Sequence, residues 1–195
     1  MIDNIHELPA DLPVPLDDGA CDHLRGMTVP PIPLPSTAGG SIDLAGLDGR
    51  TVVYCYPRTG EANQDPPVGW NEIPGARGCT PQSCAFRDHF RELQAVGARV
   101  SGLSTQSTEY QQEAVRRLHL PFALLSDQSL TLARALRLPT FEVEVLGTTL
   151  IKRLTLLVHS GRIEQVWYPV FPPSRNAEDV LAWLREHPID QKERV

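Results

Sequence analysis

Apolar residues along this chain alternate between the spacing of β-strands and the spacing of α-helices. Residues Thr51–Tyr56 form an almost continuous apolar, β-branched and aromatic run that stops at Pro57. Such a run is typical of a central strand that is buried on both faces. Farther along, apolar residues recur every three or four positions, at Phe86, Phe90, Leu93 and Val96. This spacing predicts a helix that begins close to Cys79 and continues to about Val96.

The rest of the chain continues the alternation. We predict strands over Ser41–Leu44, Arg99–Ser104, Phe122–Leu125, Thr149–His159 and Arg162–Tyr168, and helices over Thr108–Leu118, Leu130–Leu136 and Ala177–Glu186. The last two strands form a hairpin with Ser160 and Gly161 at its turn. Strands that alternate with helices and end in a hairpin predict an α/β domain, with a mixed central sheet flanked by helices on both faces.

Two segments lack this periodicity. Prolines are concentrated in residues 1–35, so we expect residues 1–27 to form a proline-rich N-terminal arm that lies over a domain spanning residues 28–187. Residues 188–195 are then a C-terminal tail. Residues 58–78 contain several Gly and Pro residues and predict a long loop, which in a compact domain is usually functional or mobile.

Charge and composition exclude several classes of protein. The 195 residues carry a formal net charge of −6, which argues against a nucleic-acid-binding surface. The chain has no apolar stretch near the ~20 residues of a membrane span. Its first residues have neither the basic region nor the apolar run of a secretory signal. Four cysteines are too few for a disulfide scaffold and suit a reducing compartment, so we expect a cytoplasmic protein that does not contact membranes.

The candidate chemistry lies at Cys79 and Cys84. Proline is tolerated in the first turn of a helix, so Pro81 indicates that the helix begins close to Cys79, with Thr80 as a candidate N-cap. The Cys79 sulfur then lies at the positive end of the helix dipole, which favours a thiolate.

Cys84 follows five residues later in the same helix. Five residues of intact helix rise about 7.5 Å, whereas a disulfide needs Cα atoms roughly 4.4–6.8 Å apart. The two sulfurs can therefore bond only if the first turn of the helix unwinds. This spacing predicts a reduced, folded state and an oxidised, locally unfolded state.

Less specific interpretations remain open for each cysteine. Cys79 could be an inert packed thiol, and Cys84 could be a thiol of the helix core that resolves nothing, because cysteine is among the most buried residue types. Cys55 lies in the apolar strand and is expected in the core. Cys21 lies in the arm, where an exposed thiol could pair with a partner. The six histidines show no metal-ligand spacing with the cysteines, so no metal site is predicted.

Several motifs together resemble those of a peroxiredoxin, most closely of the sub-type called PrxQ or bacterioferritin-comigratory protein. They are the strand end Tyr56-Pro57, the helix start Gly78-Cys79-Thr80-Pro81-Gln82-Ser83-Cys84-Ala85-Phe86-Arg87-Asp88, the strand Gly102-Leu103-Ser104, and Arg153-Leu154-Thr155-Leu156 before the turn at Ser160-Gly161. The resemblance covers roughly residues 28–187.

The resemblance implies a fold, an activity and a set of site residues. The fold would be thioredoxin-like, and Cys79 would attack hydrogen peroxide or an organic hydroperoxide. Cys84 would resolve the product as a disulfide, which thioredoxin or a similar dithiol would reduce, with no bound cofactor. Arg153 would supply the fixed positive charge beside Cys79, although it could instead be an ordinary strand arginine that faces solvent. The chain would act as a monomer or a weak homodimer.

The chain departs from the family pattern before Cys79. Peroxiredoxins usually carry a proline and a Thr or Ser at the positions that Glu72 and Ala76 occupy here, and residues 58–78 contain an insertion. We expect Pro57 to keep the role of the proline, and Thr59 to fold back and supply the missing hydroxyl within about 4 Å of the Cys79 sulfur, close to hydrogen-bonding range. Trp70 in the insertion is either part of a lid over the site or incidental.

The sequence is also compatible with a function of another class. A thiol-based redox sensor or partner-binding module could use the same fold and the same cysteine pair with little turnover. A thioredoxin-like disulfide reductase would need a Cys-x-x-Cys motif, which the sequence lacks.

Overall fold

The computed structural model describes residues 8–9, 11–61 and 64–189. Residues 1–7 of the expected arm and residues 190–195 of the expected tail lie outside this part of the chain. The strands are β1 (Pro33–Pro35), β2 (Ser41–Asp43), β3 (Arg50–Cys55), β4 (Ala98–Ser104), β5 (Leu124–Ser126), β6 (Thr140–Val143), β7 (Thr148–Ile151), β8 (Leu154–His159) and β9 (Arg162–Trp167). The α-helices are α1 (Cys79–Asp88), α2 (Phe90–Ala95), α3 (Thr108–Leu118), α4 (Thr131–Leu136) and α5 (Asn176–Glu186).

Five strands form the central sheet in the order β5-β4-β3-β8-β9. Strands β3, β4 and β5 run parallel, whereas β8 pairs antiparallel with both β3 and β9. Helices α1, α2 and α3 connect the parallel strands, as parallel pairing requires a crossover. The predicted α/β fold with a mixed sheet flanked by helices is confirmed.

Alternate residues of β3 supply two hydrophobic cores. Val53 and Cys55 pack on one face of the sheet with α4, and Val52 and Tyr54 pack on the other with α1, α3 and α5. All six residues of β3 are buried, as the continuous apolar run predicts. Cys79 belongs to the second of these cores, at the edge where β3 ends.

Three predicted elements differ in the structure. The helix predicted from Cys79 to Val96 is two helices, α1 and α2, separated at His89. Apolar spacing does not detect this break, because a single intervening residue leaves the buried face almost continuous. The strand predicted over Thr149–His159 divides into β7 and β8, because β7 pairs with β6 in a separate two-stranded sheet. The proline-rich segment also contains β1, which pairs with β2.

The described part of the expected arm contacts the domain and is buried in it at Cys21 and Leu24. Leu24 is fully buried, and Cys21 is only 6% exposed. The Gly26 N–H donates to the carbonyl of Ile163 in β9. Burial raises the pKa of the Cys21 thiol to about 12, so this thiol stays protonated near neutral pH. Cys21 is therefore not the exposed, partner-accessible thiol that the sequence allowed.

The insertion before Cys79 has a hydrophobic core of its own. Trp70 and Ala76 pack against Val143 and Leu150 of the β6–β7 hairpin, with Ile73, Phe141 and Leu146 around them. We call this cluster the insertion core. Trp70 is 5% exposed and its ring centroid lies 6.4 Å from that of Phe141. The later part of the insertion thus packs against the β6–β7 hairpin.

None of the described helices has the length and apolar character needed to cross a membrane.

Candidate active site

Cys79 is the first residue of α1 and is 3% exposed. The N-cap is Gly78, with φ 102°, and not Thr80 as the sequence suggested. An L-residue rarely adopts this conformation, and a Cβ at Gly78 would also lie 2.4 Å from Cγ of Pro173. Glycine therefore allows the chain to turn into α1 close to Pro173, and this turn places the sulfur at the helix N-terminus, as predicted.

Arg153 lies directly against this sulfur. The segment between β7 and β8 carries Arg153, which is 3% exposed, and its Nη2 donates to Cys79 Sγ at 3.1 Å. The same nitrogen donates to the carbonyls of Ala76 at 3.0 Å and Arg77 at 3.1 Å, and Nε donates to that of Gly75 at 3.1 Å. The guanidinium therefore fixes the chain before Cys79 while it presents a permanent positive charge to the sulfur.

A buried chain of amides orients Arg153 from the other side. Arg153 Nη1 donates to Gln82 Oε1 in the first turn of α1. Gln82 Nε2 in turn donates to Asn176 Oδ1 at 2.9 Å, and this oxygen also accepts from Thr155 Oγ1 at 2.7 Å. Because these side chains are almost completely buried, their hydrogen bonds fix the direction in which the guanidinium points.

A main-chain group supplies a second donor to the sulfur. The Arg58 N–H, just after β3, donates to Cys79 Sγ at 3.4 Å. A protonated Cys79 has an acceptor in the carbonyl of Ala76 at 3.6 Å. Two donors thus converge on a sulfur at a helix N-terminus, an arrangement that stabilises negative charge there.

The Thr59 hydroxyl does not take the position that the sequence suggested. Thr59 is fully buried next to Arg58, but its Oγ1 donates to Gln106 Oε1 at 3.1 Å, and its N–H donates to the same oxygen at 3.0 Å. The single hydroxyl proton is therefore committed to Gln106. In this structure the Arg58 N–H occupies the place beside the sulfur that the missing hydroxyl was expected to fill.

Cys84 lies near the middle of α1, half-buried, and all four cysteines are free thiols. Partial burial raises the pKa of the Cys84 thiol, and the nearby positive charge of Arg87 opposes this shift only in part. Cys84 is therefore a protonated, weakly nucleophilic thiol while α1 is intact.

A cavity of about 40 Å³ opens beside Cys79. It is lined by Arg58, Gly60, Glu61, Gln64, Asp65, Pro66, Pro67, Trp70, Arg77, Gly78, Cys79, Thr80 and Pro81. This volume exceeds the ~10–15 Å³ that a single water needs, so it admits a small group such as a peroxide oxygen pair. The insertion thus forms much of the wall, and Trp70 both lines the cavity and packs in the insertion core.

Across the described ranges, no three His, Cys, Asp or Glu side chains cluster as a metal site would need.

The structure brings Cys79, Arg153 and Arg58 together, and it adds two buried glutamines that the sequence did not single out. Gln106 belongs to no motif, and Gln82 lies in the quoted helix-start motif without a role assigned to it; polar residues in a helix or loop are normally exposed. The position of Gln82 one turn after Cys79 was the one available signal, because side chains near a helix start cluster around the first residue.

Comparison with known proteins agrees with this geometry. The family model described as Redoxin matches residues 24–181. The chain belongs to the Redoxin family. Within this family it is 31% identical to Peroxiredoxin Bcp of Escherichia coli strain K12, over 83% of this chain and 96% of that protein. It is 30% identical to the chloroplastic Peroxiredoxin Q of Sedum lineare, over 83% of this chain and 77% of that one.

A solved structure shows the same architecture. The crystal structure of peroxidoxin BcpB from Mycobacterium tuberculosis superimposes with a TM-score of 0.68 at 27% identity, and the match covers 86% of this chain and all of that one. The peroxiredoxin fold and the PrxQ/Bcp sub-type expected from the motifs are thereby confirmed. The chain is a thiol-dependent peroxidase.

Proposed function

We propose that Cys79 is the thiol that attacks the peroxide, that Cys84 resolves the product, and that thioredoxin or a similar dithiol completes the cycle. The observation that carries the assignment of Cys79 is the contact of Arg153 Nη2 with its sulfur at 3.1 Å, at the start of a helix and beside a small cavity. None of the other three cysteines lines this cavity.

In the first step, the Cys79 thiolate attacks the terminal oxygen of hydrogen peroxide or of an organic hydroperoxide. A sulfur–oxygen bond forms as the oxygen–oxygen bond breaks, and the electron pair leaves on the second oxygen, which takes up a proton as water or alcohol. Cys79 is oxidised to a sulfenic acid and the peroxide is reduced. Arg153 and the N–H groups of Arg58, Gly78 and Cys79 are the donors available to the charge that moves between these atoms.

In the second step, the sulfur of Cys84 attacks the sulfenic acid of Cys79, and a Cys79–Cys84 disulfide forms. The hydroxide that is displaced takes up the thiol proton and leaves as water. Both residues belong to α1, so the first turns of this helix must unwind. Unwinding also exposes Cys84 to water, which removes the burial that keeps it protonated.

An external dithiol then restores the enzyme by thiol–disulfide exchange. A thiolate of the reductant attacks one sulfur, and the second thiol of the reductant releases the mixed disulfide. We propose that this occurs in the cytoplasm, because four cysteines are too few for a disulfide scaffold and suit a reducing compartment. We further propose that residues 28–187 act as the catalytic domain, as a monomer or weak homodimer without nucleic-acid partners, in keeping with the net charge of −6.

Peroxide consumption with a thioredoxin system tests this assignment. Cys79→Ser should abolish turnover, because a serine hydroxyl is hardly ionised near neutral pH. Cys84→Ser should react once with peroxide and then stop, with a persistent sulfenic acid that dimedone labels. Cys55→Ala, which changes another buried thiol away from the cavity, is the matched control and should keep turnover. Substantial turnover by Cys79→Ser would refute the proposal for Cys79, and normal recycling by Cys84→Ser would refute the role of Cys84.

A further inference from the structure

The second donor on the Cys79 sulfur comes from a segment outside the helices and strands, so side-chain contacts must hold it in place. The Arg58 N–H lies 3.4 Å from Cys79 Sγ, at the point where the chain leaves β3 and enters the insertion. Ala76 has no hydroxyl, and the Thr59 hydroxyl donates elsewhere. The donor that faces the sulfur together with Arg153 is therefore a main-chain group, whose direction depends entirely on how residues 58–60 are held.

Gln106 holds this segment through a paired contact with Thr59. Its Oε1 accepts from the Thr59 N–H at 3.0 Å and from the Thr59 hydroxyl at 3.1 Å, and its Nε2 donates to the Thr59 carbonyl at 3.2 Å. The side-chain amide thus pairs with both main-chain groups of Thr59, as a neighbouring strand would. Since Gln106 is 8% exposed and Thr59 is fully buried, water does not compete effectively for these bonds.

Gln106 is itself fixed from behind. Its carbonyl accepts from Ser126 Oγ at 2.7 Å, and its N–H donates to Ser104 Oγ at 3.3 Å. Ser104 and Ser126 are the last residues of β4 and β5, so the carboxyl edge of the parallel sheet supports the amide. Tyr110 in α3 adds a further bond from its hydroxyl to the Thr59 carbonyl at 2.9 Å.

We propose that Gln106 is a positioning residue for peroxide reduction, which aims the Arg58 N–H at the Cys79 sulfur and replaces a donor that position 76 lacks. This rests on the proposed function of Cys79. A fixed neutral donor stabilises the thiolate and the charge that develops as the sulfur–oxygen bond forms and the oxygen–oxygen bond breaks. Gln106 acts only through Thr59 and the adjoining peptide group, so its effect depends on that N–H being present.

The test measures the second-order rate of Cys79 oxidation by hydrogen peroxide in one turnover, in the Cys84→Ser background. Gln106→Leu removes all three side-chain contacts with Thr59. Gln106→Glu keeps the size and the acceptors but loses the donor to the Thr59 carbonyl. We expect both variants to be slower by about 10- to 100-fold, a part of what the loss of a preorganised donor typically costs.

Gln111→Leu is the matched control. Gln111 is also a fully buried glutamine, but its Nε2 donates to Ser104 Oγ and to the Leu125 carbonyl and makes no contact with residues 58–60. It should lower stability to a degree similar to Gln106→Leu, measured by urea unfolding. The oxidation rate should stay within about 3-fold of the parent, because the three contacts of Gln106 with Thr59 remain although the shared Ser104 oxygen loses one donor. Equal slowing in both glutamine variants would overturn the proposal.

A double-mutant cycle separates positioning from a general structural role. Arg58→Pro deletes the N–H itself, and Arg58→Ala keeps it, so the proline variant should be the slower of the two. If Gln106 works through this N–H, Gln106→Leu should cost little more once Arg58→Pro is present. Additive effects would overturn the proposal, as would a folded Gln106→Leu protein with the parent rate. Cys79→Ser in the same assay distinguishes failure of this proposal from failure of the proposed function. Peroxide reduction by that variant would refute the role of Cys79, whatever the Gln106 variants do.

Discussion

Arg153 has two tasks, and the geometry of its guanidinium makes them inseparable. Its Nη2 contacts the Cys79 sulfur together with the carbonyls of Ala76 and Arg77. Nε donates to the Gly75 carbonyl and Nη1 to Gln82 Oε1. A planar group with donors at three nitrogens can meet these acceptors together, and an ammonium cannot.

We therefore expect Arg153→Ala to slow the reaction of Cys79 with peroxide by about 10²- to 10³-fold, because a preorganised donor and a fixed charge are both lost. Arg153→Lys should recover only part of the rate, since it keeps the charge but not the fork. Stopped-flow measurement of Trp fluorescence during peroxide addition gives the rates.

Arg50 offers the control for this series. It is a buried arginine in β3, 5% exposed and paired with Glu164. Arg50→Lys should lower the urea midpoint while the peroxide rate stays unchanged. If Arg153→Ala kept the parent rate, Arg153 would be a structural residue only.

At the scale of single elements, the start of α1 depends on one glycine. Gly78 and Gly69 both have positive φ, of 102° and 77°, but only a Cβ at Gly78 would collide with a neighbour. Each alanine substitution forces a left-handed conformation, at a cost of about 1–2 kcal/mol. The collision with Pro173 comes in addition and displaces the turn that carries Cys79.

We expect Gly78→Ala to lose more stability than Gly69→Ala in urea unfolding, and to slow peroxide consumption, whereas Gly69→Ala should lose stability alone. This pair separates backbone strain, which the two positions share, from the close approach that is specific to the helix start. Equal effects of the two substitutions on stability and on rate would show that the contact with Pro173 is unimportant.

The same helix should respond to pH through Cys84. Burial raises the pKa of its thiol in the folded state, so the folded protein holds this proton more tightly than the unfolded chain does. The resulting stabilisation is complete below the ordinary pKa of the thiol and is lost as pH rises from that value toward the raised one. Rising pH therefore favours the unwound form of α1.

Comparison of the wild type with Cys84→Ser isolates this contribution, because Cys21 and Cys55 are common to both. Between about pH 7 and about pH 10, on either side of the ordinary thiol value of about 8.5, the wild type should lose more free energy of unfolding than the variant. Disulfide formation after a peroxide pulse should also become faster over this range. A difference between the two proteins that does not change with pH would contradict this prediction.

At the scale of the whole molecule, the later part of the insertion packs against the β6–β7 hairpin, whereas Thr59 at its start is held at the edge of the central sheet. Trp70 links the insertion core to the active site, since it packs in that core and also lines the cavity beside Cys79. One wall of the cavity thus depends on packing that lies outside the two main cores.

Trp70→Ala should lower the free energy of unfolding by about 3–5 kcal/mol, as is usual for truncation of a buried aromatic. It should also enlarge the cavity, so that bulky organic hydroperoxides gain rate relative to hydrogen peroxide. Val145→Ala, at a position 67% exposed in the same hairpin region, should change stability by less than about 0.5 kcal/mol. An unchanged ratio of rates for large and small peroxides would show that Trp70 does not limit access.

What could be predicted from the sequence follows from the range over which each signal acts. The buried strand β3 and the placement of Cys79 at a helix start depend on neighbouring residues, so the pattern predicts them. The expected contact between Arg153 and Cys79 came from a family resemblance, because no local rule links residues so far apart. The Arg58 N–H had no signal at all, since every residue except proline has that group. Thr59 was expected at the sulfur because a hydroxyl is visible in a sequence, whereas the acceptor that engages it, Gln106, is brought near only by the fold.

The bonds between Arg153 and the carbonyls of Gly75 and Ala76 also have a consequence for how quickly we expect the site to reform after oxidation. If Cys79 leaves its place to form the proposed disulfide, we expect these acceptors to stay, because Ala76 belongs to the insertion core and not to α1. The Arg153 guanidinium would then keep its position, ready to donate again to the Cys79 sulfur when it returns. After reduction, recovery requires only that a short helical segment rewind onto a preformed anchor, an event on the order of a microsecond. We therefore expect the time for one catalytic cycle to be determined by encounters with peroxide and reductant, and not by reassembly of the site.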